Sequence, residues 1–443
     1  MRSTVKHPDP QANAGSRSLE ESHAWLRRSK KVVPGCAQTF SKGPQLFVQN
    51  VAPNFVARAK GAFVWDVDGN RYIDWINGLG AIVLGHCHPA VDGAVGAQMK
   101  RGMSFSLPST LEVELAERLC ELIPCAEMVR FGKNGSDVTS AAVRIARAVT
   151  GRDRVACCGY HGWQDWYIGS TSRSRGVPDA VRQLTIPFPY NDRDALARVF
   201  KEHKDRIACV IMEPVTFDMP TGGYLAEVKD LCRRNGALLV FDEIVTGFRL
   251  ALAGAQEYFG VTPDLACFGK GMANGYPLSA IVGRADIMSN FTEVFFSFTH
   301  GGEALSLAAG LATIREMVRK EVPAHFWRRG RQLQEGTNQI IGTCDLQAHC
   351  HCVGAAPWTT IRFHDADGRD WPVLRSLFQQ EALKRGLLTH GNHMLSFNHG
   401  ESIIEGTLAV YQMVFGILAE AIGRKDLARR LEGPPMQGVF RSK

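Results

Sequence analysis

The sequence predicts an α/β fold, a mostly parallel sheet with helices on both faces. Two observations carry this. Short apolar, β-rich runs recur at Arg154–Cys158, Ala208–Met212, Ala237–Phe241 and Leu265–Phe268, and helical periodicity returns between or before them over Val138–Val149, Asp194–Glu202 and Ala226–Asn235. Each run also stops at residues with chemistry: Tyr160 and His161, Glu213, Asp242, and Lys270. Ligands of open α/β sheets bind beyond the carboxyl ends of the strands, so these side chains are expected to share one crevice.

At 443 residues the chain is longer than one usual domain, and with 45% hydrophobic and 21% charged residues it can build a sizeable core. The expected organisation is a disordered tail over 1–17, an N-terminal segment over 18–75, a large domain over 76–315 and a smaller α+β lobe over 316–443. The net charge of +7 is spread without a Lys/Arg run, which excludes a nucleic-acid patch. Twelve cysteines and no apolar signal segment at the start predict free thiols in a reducing, cytoplasmic setting. Leu408–Ile422 is apolar but carries Gln412 and Glu420, and reads as a core helix rather than a membrane span.

In chain order, Ser18 and Glu21 form a capping-box pattern for a helix to about Lys31, which Pro34-Gly35 ends. Ala62–Trp65 and Arg71–Trp75 read as strands joined by a turn at Asp68-Gly69-Asn70; a calcium loop would need a Glu that is missing. Leu111–Leu122 and Glu303–Arg319 read as helices. His86-Cys87-His88 and His349-Cys350-His351-Cys352 invite a metal, but neighbours on a strand point to opposite faces and cannot converge on one ion.

The chemistry centres on Phe268-Gly269-Lys270-Gly271. A lysine at the end of a buried strand is desolvated, which favours its neutral, nucleophilic form and suits a Schiff base; the other reading is a lysine that snorkels to solvent. Gly132-Lys133-Asn134-Gly135-Ser136-Asp137 precedes an apolar helical pattern at Val138, Ala141, Ala142, Ile145 and Val149. A Gly-Ser pair opening a helix offers free N–H groups and a hydroxyl to a phosphate, unless Ser136 is an ordinary N-cap. Together these parts suit pyridoxal 5'-phosphate. The helix start would take the phosphate, Lys270 the aldehyde and Asp242 the pyridine nitrogen. An aromatic would cover one face of the ring and Ile244 the other.

The ordered motifs Asn-Gly-Ser-Asp, Tyr-His-Gly-Trp, Met-Glu-Pro, Phe-Asp-Glu-Ile-Val-Thr-Gly-Phe-Arg and Phe-Gly-Lys-Gly-Met-Ala-Asn-Gly-Tyr-Pro resemble the class III aminotransferases, most of all their glutamate-1-semialdehyde aminomutase branch, from about Pro34 to about His399. The resemblance implies a fold-type I transferase with a seven-stranded-type sheet. It also implies a homodimer with shared sites, while the expectation of no nucleic-acid or membrane partner comes from the charge and hydropathy patterns. It makes Lys270, Asp242 and Tyr160 catalytic. Gly135, Ser136, His161, Glu213, Asp218, Ile244 and Thr299 become further cofactor contacts, with Thr299 reaching the neighbouring subunit's phosphate. Lys42 stands where the aminomutase has a carboxylate-binding arginine, the Ser170–Arg175 connection is shorter than its gating loop, and Gly391-Asn392-His393-Met394 replaces a glutamate-containing segment. Lys42, Trp163 and His393 are therefore the expected substrate contacts. The implied activity is amino transfer from an amino donor to a carbonyl acceptor, with altered substrate contacts. The alternatives are an intramolecular aminomutase, a racemase or epimerase on the same scaffold, or a non-catalytic cofactor-binding protein.

Overall fold

The computed structural model describes residues 17–438; the tail expected over 1–17 therefore lies outside the described residues except for Arg17. In chain order the strands are β1 (Val56–Lys60), β2 (Phe63–Asp66), β3 (Arg71–Asp74), β4 (Met128–Gly132), β5 (Arg154–Cys158), β6 (Thr185–Pro187), β7 (Ile207–Met212), β8 (Leu238–Asp242), β9 (Leu265–Phe268), β10 (Ser279–Gly283), β11 (Cys350–Ala355), β12 (Trp358–Phe363), β13 (Leu387–Leu388) and β14 (Asn392–Met394). The chain divides into two compact units, one of them built on Gly80–Val83 and Pro89–Ala324 and the other on the flanking segments.

The larger unit holds a seven-stranded sheet in the order β4-β10-β9-β8-β7-β5-β6. Only β10 runs antiparallel to its neighbours, so the sheet is mostly parallel as the run of apolar segments predicts. Strand alternation divides the core between its faces. Cys209 and Ile211 pack on one side with Val138, Ala142 and Ile145 of the Gly135–Thr150 helix. Val210 and Met212 pack on the other with Leu196 of the Arg193–Glu202 helix and Leu225 and Val228 of the Tyr224–Arg234 helix. Val149, counted in the apolar pattern of the Gly135–Thr150 helix, is 40% exposed in its last turn.

The smaller unit carries a four-stranded sheet, β1-β2-β3-β13, and a three-stranded one, β11-β12-β14. Its first helix spans Glu20–Val32, with no side-chain bond from its N-cap. Instead of the expected capping box, the carboxylate of Asp68 accepts the N–H groups of Glu21 and Ser22, both at 2.9 Å. The acidic turn is thus a helix cap supplied from elsewhere in the chain. On β11, Cys350 and Cys352 point inward and His351 outward, as strand alternation requires. The Glu401–Gly423 helix is long and apolar enough to cross a membrane by length and composition. Here its Tyr411 and Phe415 rings pack on Phe378 of the Pro372–Lys384 helix, 5.4 and 5.6 Å between centroids.

Candidate active site

Four adjacent parallel strands, β9, β8, β7 and β5, deliver the residues with chemistry to one edge of the sheet. Their register aligns Cys158 with Met212, Met212 with Phe241, and Asp242 with Cys267. The side chains just beyond are therefore ranked in a row: Tyr160 and His161 after β5, Glu213 after β7, Asp242 closing β8, and Lys270 after β9. β4, parallel to β9 across β10, ends on the same edge at Gly132 and leads into the Gly135–Thr150 helix.

That helix is capped by Asn134, not by Ser136. The Asp137 carboxylate accepts the N–H of Asn134 at 2.7 Å and of Lys133 at 3.1 Å. Gly135 and Ser136 are consequently the first helical residues, where N–H groups have no partner within the helix and the dipole is positive. Gly162 crosses directly over this turn with φ +106°, and a Cβ there would lie 2.5 Å from the Ser136 Cβ. The chain after β5 can approach the helix start only because that residue is glycine. Ile244 lies against Gly135. Lys133 Nζ reaches Glu303 Oε2 at 3.1 Å, tying the turn to the N-cap of the Ala304–Arg319 helix.

Asp242 is 4% exposed and His161 1%. Asp242 Oδ2 lies 2.8 Å from His161 Nδ1, and Oδ1 accepts the N–H of Ile244 at 3.1 Å. Glu213 is held above the usual carboxylate range, first by burial and then by the nearby Asp242 charge. Lys270 sits in the left-handed region at φ 40°, at the start of a short 3-10 turn. Burial pushes its amine below the ordinary lysine value, with Glu213 and Asp242 close enough to oppose that shift and Arg249 to reinforce it. Such a shift favours the neutral form that a nucleophile or base needs.

Tyr160 and Trp163 are exposed, at 51% and 66%. Asp218 and Thr299 are exposed on loops. Thr299 and His300 line a cavity of about 580 Å³ together with Asn134, Asp137 and Ser140. Lys42 and His393 belong to the other unit. Lys42 is exposed on a short 3-10 turn. His393 is fully buried, with Nδ1 2.8 Å from the Thr359 hydroxyl and Nε2 2.7 Å from the Tyr411 hydroxyl. Both of its nitrogens are spent inside a core, so the expectation that it contacts substrate is withdrawn.

Two residues of the quoted motifs that the sequence left without a role are buried beside the row. Glu243 accepts the N–H of Ala255 at 2.8 Å and of Gln256 at 2.9 Å, as well as the Thr246 hydroxyl. Arg249 is 1% exposed and donates Nη2 to the Gly80 carbonyl at 2.9 Å. A charged pair of residue types inside an apolar run was the available signal.

The pattern of one family, Aminotransferase class-III, matches residues 47–355. The chain is 41% identical over 396 residues to the glutamate-1-semialdehyde 2,1-aminomutase of Methanocaldococcus jannaschii, covering 82% of this chain and 91% of that relative. It is 35% identical over 391 residues to the 3-aminobutyryl-CoA aminotransferase of Cloacimonas acidaminovorans, covering 86% and 92%. Among solved structures, the PLP-bound FumI protein of Sphingopyxis sp. MTA144 is similar with a TM-score of 0.85 at 28% identity, over 94% of this chain and 98% of that one. A chain with this edge of carboxylates, helix start and desolvated lysine, matched along most of its length, belongs to the class-III aminotransferases, whose cofactor is pyridoxal 5'-phosphate.

Proposed function

We propose that this protein is an aminotransferase that moves an amino group from a small amino donor to a separate carbonyl acceptor. The observation that carries the reading is the desolvated Lys270 amine on the same sheet edge as the buried Asp242–His161 pair. When bound, pyridoxal phosphate supplies an aldehyde and a cationic ring that draws electrons from the donor's amine-bearing carbon. The residues present fit that group. The N–H groups of Gly135 and Ser136 would hold its phosphate, in a cradle that a side chain at position 162 would fill. Asp242 would keep the ring nitrogen protonated, with His161 orienting the carboxylate. Tyr160 and Ile244 would cover the two faces. Lys270 Nζ, whose burial favours the neutral form, would take the proton from the donor carbon. The protein is proposed to act as a homodimer in which Thr299 serves the neighbouring site.

Lys42 supports a substrate other than the one implied by the aminomutase branch. A lysine offers a carboxylate a point charge without the bidentate fork of an arginine. The relatives named as aminomutases favour a second reading, in which the amino group returns to the same carbon skeleton. A half-reaction screen separates the two. The enzyme is loaded with an amino donor, the released keto acid is measured, and carbonyl compounds are tested for return of the aldehyde spectrum. Stoichiometric keto acid and an external acceptor are expected. Isomerisation of glutamate 1-semialdehyde with no keto acid released would overturn transamination in favour of the aminomutase.

A further inference from the structure

The peptide bond between Gly159 and Tyr160 is gripped at both of its polar ends. On one side the Gly159 carbonyl accepts the Tyr167 hydroxyl at 2.9 Å. On the other the Tyr160 N–H donates to Glu213 Oε2 at 2.8 Å. The C=O and N–H of a trans peptide point in opposite directions, so two side chains from two different elements fix the orientation of one plane. Gly159 lets them do so. Its φ is +106°, and a Cβ there would lie 2.5 Å from Glu213 Oε2.

The plane matters because it aims the Tyr160 side chain. Tyr160 is 51% exposed, so core packing alone does not set its ring, and the rotation of the preceding peptide decides where that ring projects. The Tyr167 ring continues the support. It meets the Tyr160 ring edge-on at 5.6 Å and 88°, and the His161 ring at 5.2 Å and 73°. Tyr167, 7% exposed, thus braces both the aromatic beside the expected cofactor face and the imidazole that holds Asp242.

We propose that Tyr167 and Glu213 are positioning residues, a clamp on the Gly159–Tyr160 peptide that sets the Tyr160 ring for stacking on the cofactor. This rests on the reading of Tyr160 as the stacking residue. It gives Glu213 a role through the backbone instead of a direct grip on the cofactor. Tyr167 comes from the short Asp165–Ile168 helix, outside every motif that carries the family resemblance.

The test uses the full chain with Tyr167→Phe, Glu213→Leu and Glu213→Gln. Two quantities are read: hydrogen exchange at the Tyr160 amide without cofactor, and the affinity and induced visible circular dichroism of bound pyridoxal phosphate. Glu213→Leu removes the acceptor and should speed Tyr160 amide exchange by about tenfold or more. Tyr167→Phe removes one hydroxyl and keeps the ring in its core; it should weaken cofactor binding by about tenfold and diminish the dichroism. Glu213→Gln keeps an acceptor oxygen and should stay within about threefold of the parent. Parental affinity and dichroism in Tyr167→Phe would overturn the clamp, as would a Gln variant as impaired as the Leu variant. If the parent binds pyridoxal phosphate but transfers no amino group, the functional reading fails alone, since amide exchange and affinity still judge the clamp.

Discussion

His161 Nδ1 lies 2.8 Å from Asp242 Oδ2, while its Nε2 lies 3.1 Å from the carbonyl of Cys158. A carbonyl can only accept, so Nε2 is the donor toward Cys158 and Nδ1 is the nitrogen left to face Asp242. The contact holds the Asp242 carboxyl group against the imidazole, with both side chains buried. A carboxyl group bonded in this way is fixed in orientation. The prediction is that His161→Leu lowers both cofactor affinity and the donor half-reaction by roughly 10- to 100-fold, the loss of one charge-assisted hydrogen bond at about 1.5–3 kcal/mol. Equilibrium titration and stopped-flow measurement of the half-reaction check it. Parental values in both would show that Asp242 does not depend on His161.

Lys270 is predicted to act only as the neutral amine. Burial favours that form, so the acid limb of the donor half-reaction should fall below the ordinary lysine range, with rate rising as the amine loses its proton. Lys270→Ala should cost at least about 10²–10⁴ in rate, the contribution of a positioned base, and leave pyridoxal phosphate removable by dialysis. A variant that keeps both turnover and undialysable cofactor would refute the role. Lys270→Arg should fare no better, because guanidinium is not deprotonated at working pH.

Glu243 closes a different part of the same strand end. Its buried carboxyl is pushed up to about 7, chiefly by burial, against three stabilising hydrogen bonds from Thr246, Ala255 and Gln256. Removing it leaves buried N–H groups without an acceptor. Glu243→Ala is predicted to cost about 2–3 kcal/mol and to lower the melting temperature accordingly. A calorimetric melt unchanged from the parent would be incompatible with these bonds.

The legible and the hidden parts of the fold divide along one physical line. β5 and β9 were legible to the residue because a buried parallel strand is a continuous apolar run ending abruptly at polar residues, and the same abrupt ends marked Tyr160, Glu213, Asp242 and Lys270. β1, Val-Ala-Arg-Ala-Lys, escaped because it is largely exposed and has no apolar run to announce it. The cap on the first helix escaped because Asp68 lies 47 residues from Glu21, and no local pattern encodes that meeting. In the sequence His393 suggests a substrate contact because Gly391-Asn392-His393-Met394 stands where the aminomutase branch has a glutamate-containing segment. Only the register of β14 against β12, which sets it opposite Thr359, reveals that it faces inward.

That inward histidine belongs to a group that predicts how the smaller unit responds to acid. His325 is lowered to about 4, and His393 and His399 to about 3, in each case first by burial. Trp75 meets the last two rings at 5.3 and 4.2 Å, and the Tyr411 hydroxyl sits on His393 Nε2. An unfolded histidine titrates near about 6.5. Between that value and the folded one, the unfolded chain binds more protons, so stability rises with pH across this window. The contribution is complete above about 6.5 and is lost as pH falls toward 4, by at most about 1.4 kcal/mol per pH unit for each histidine. His393→Phe deletes one of these protonation sites and both of its hydrogen bonds. It should lower stability at pH 8 yet flatten the acid slope between pH 6 and 4 by close to one proton. Denaturant melts across that range give the slope directly. A variant slope equal to the parent's would mean that His393 is not held neutral by the fold.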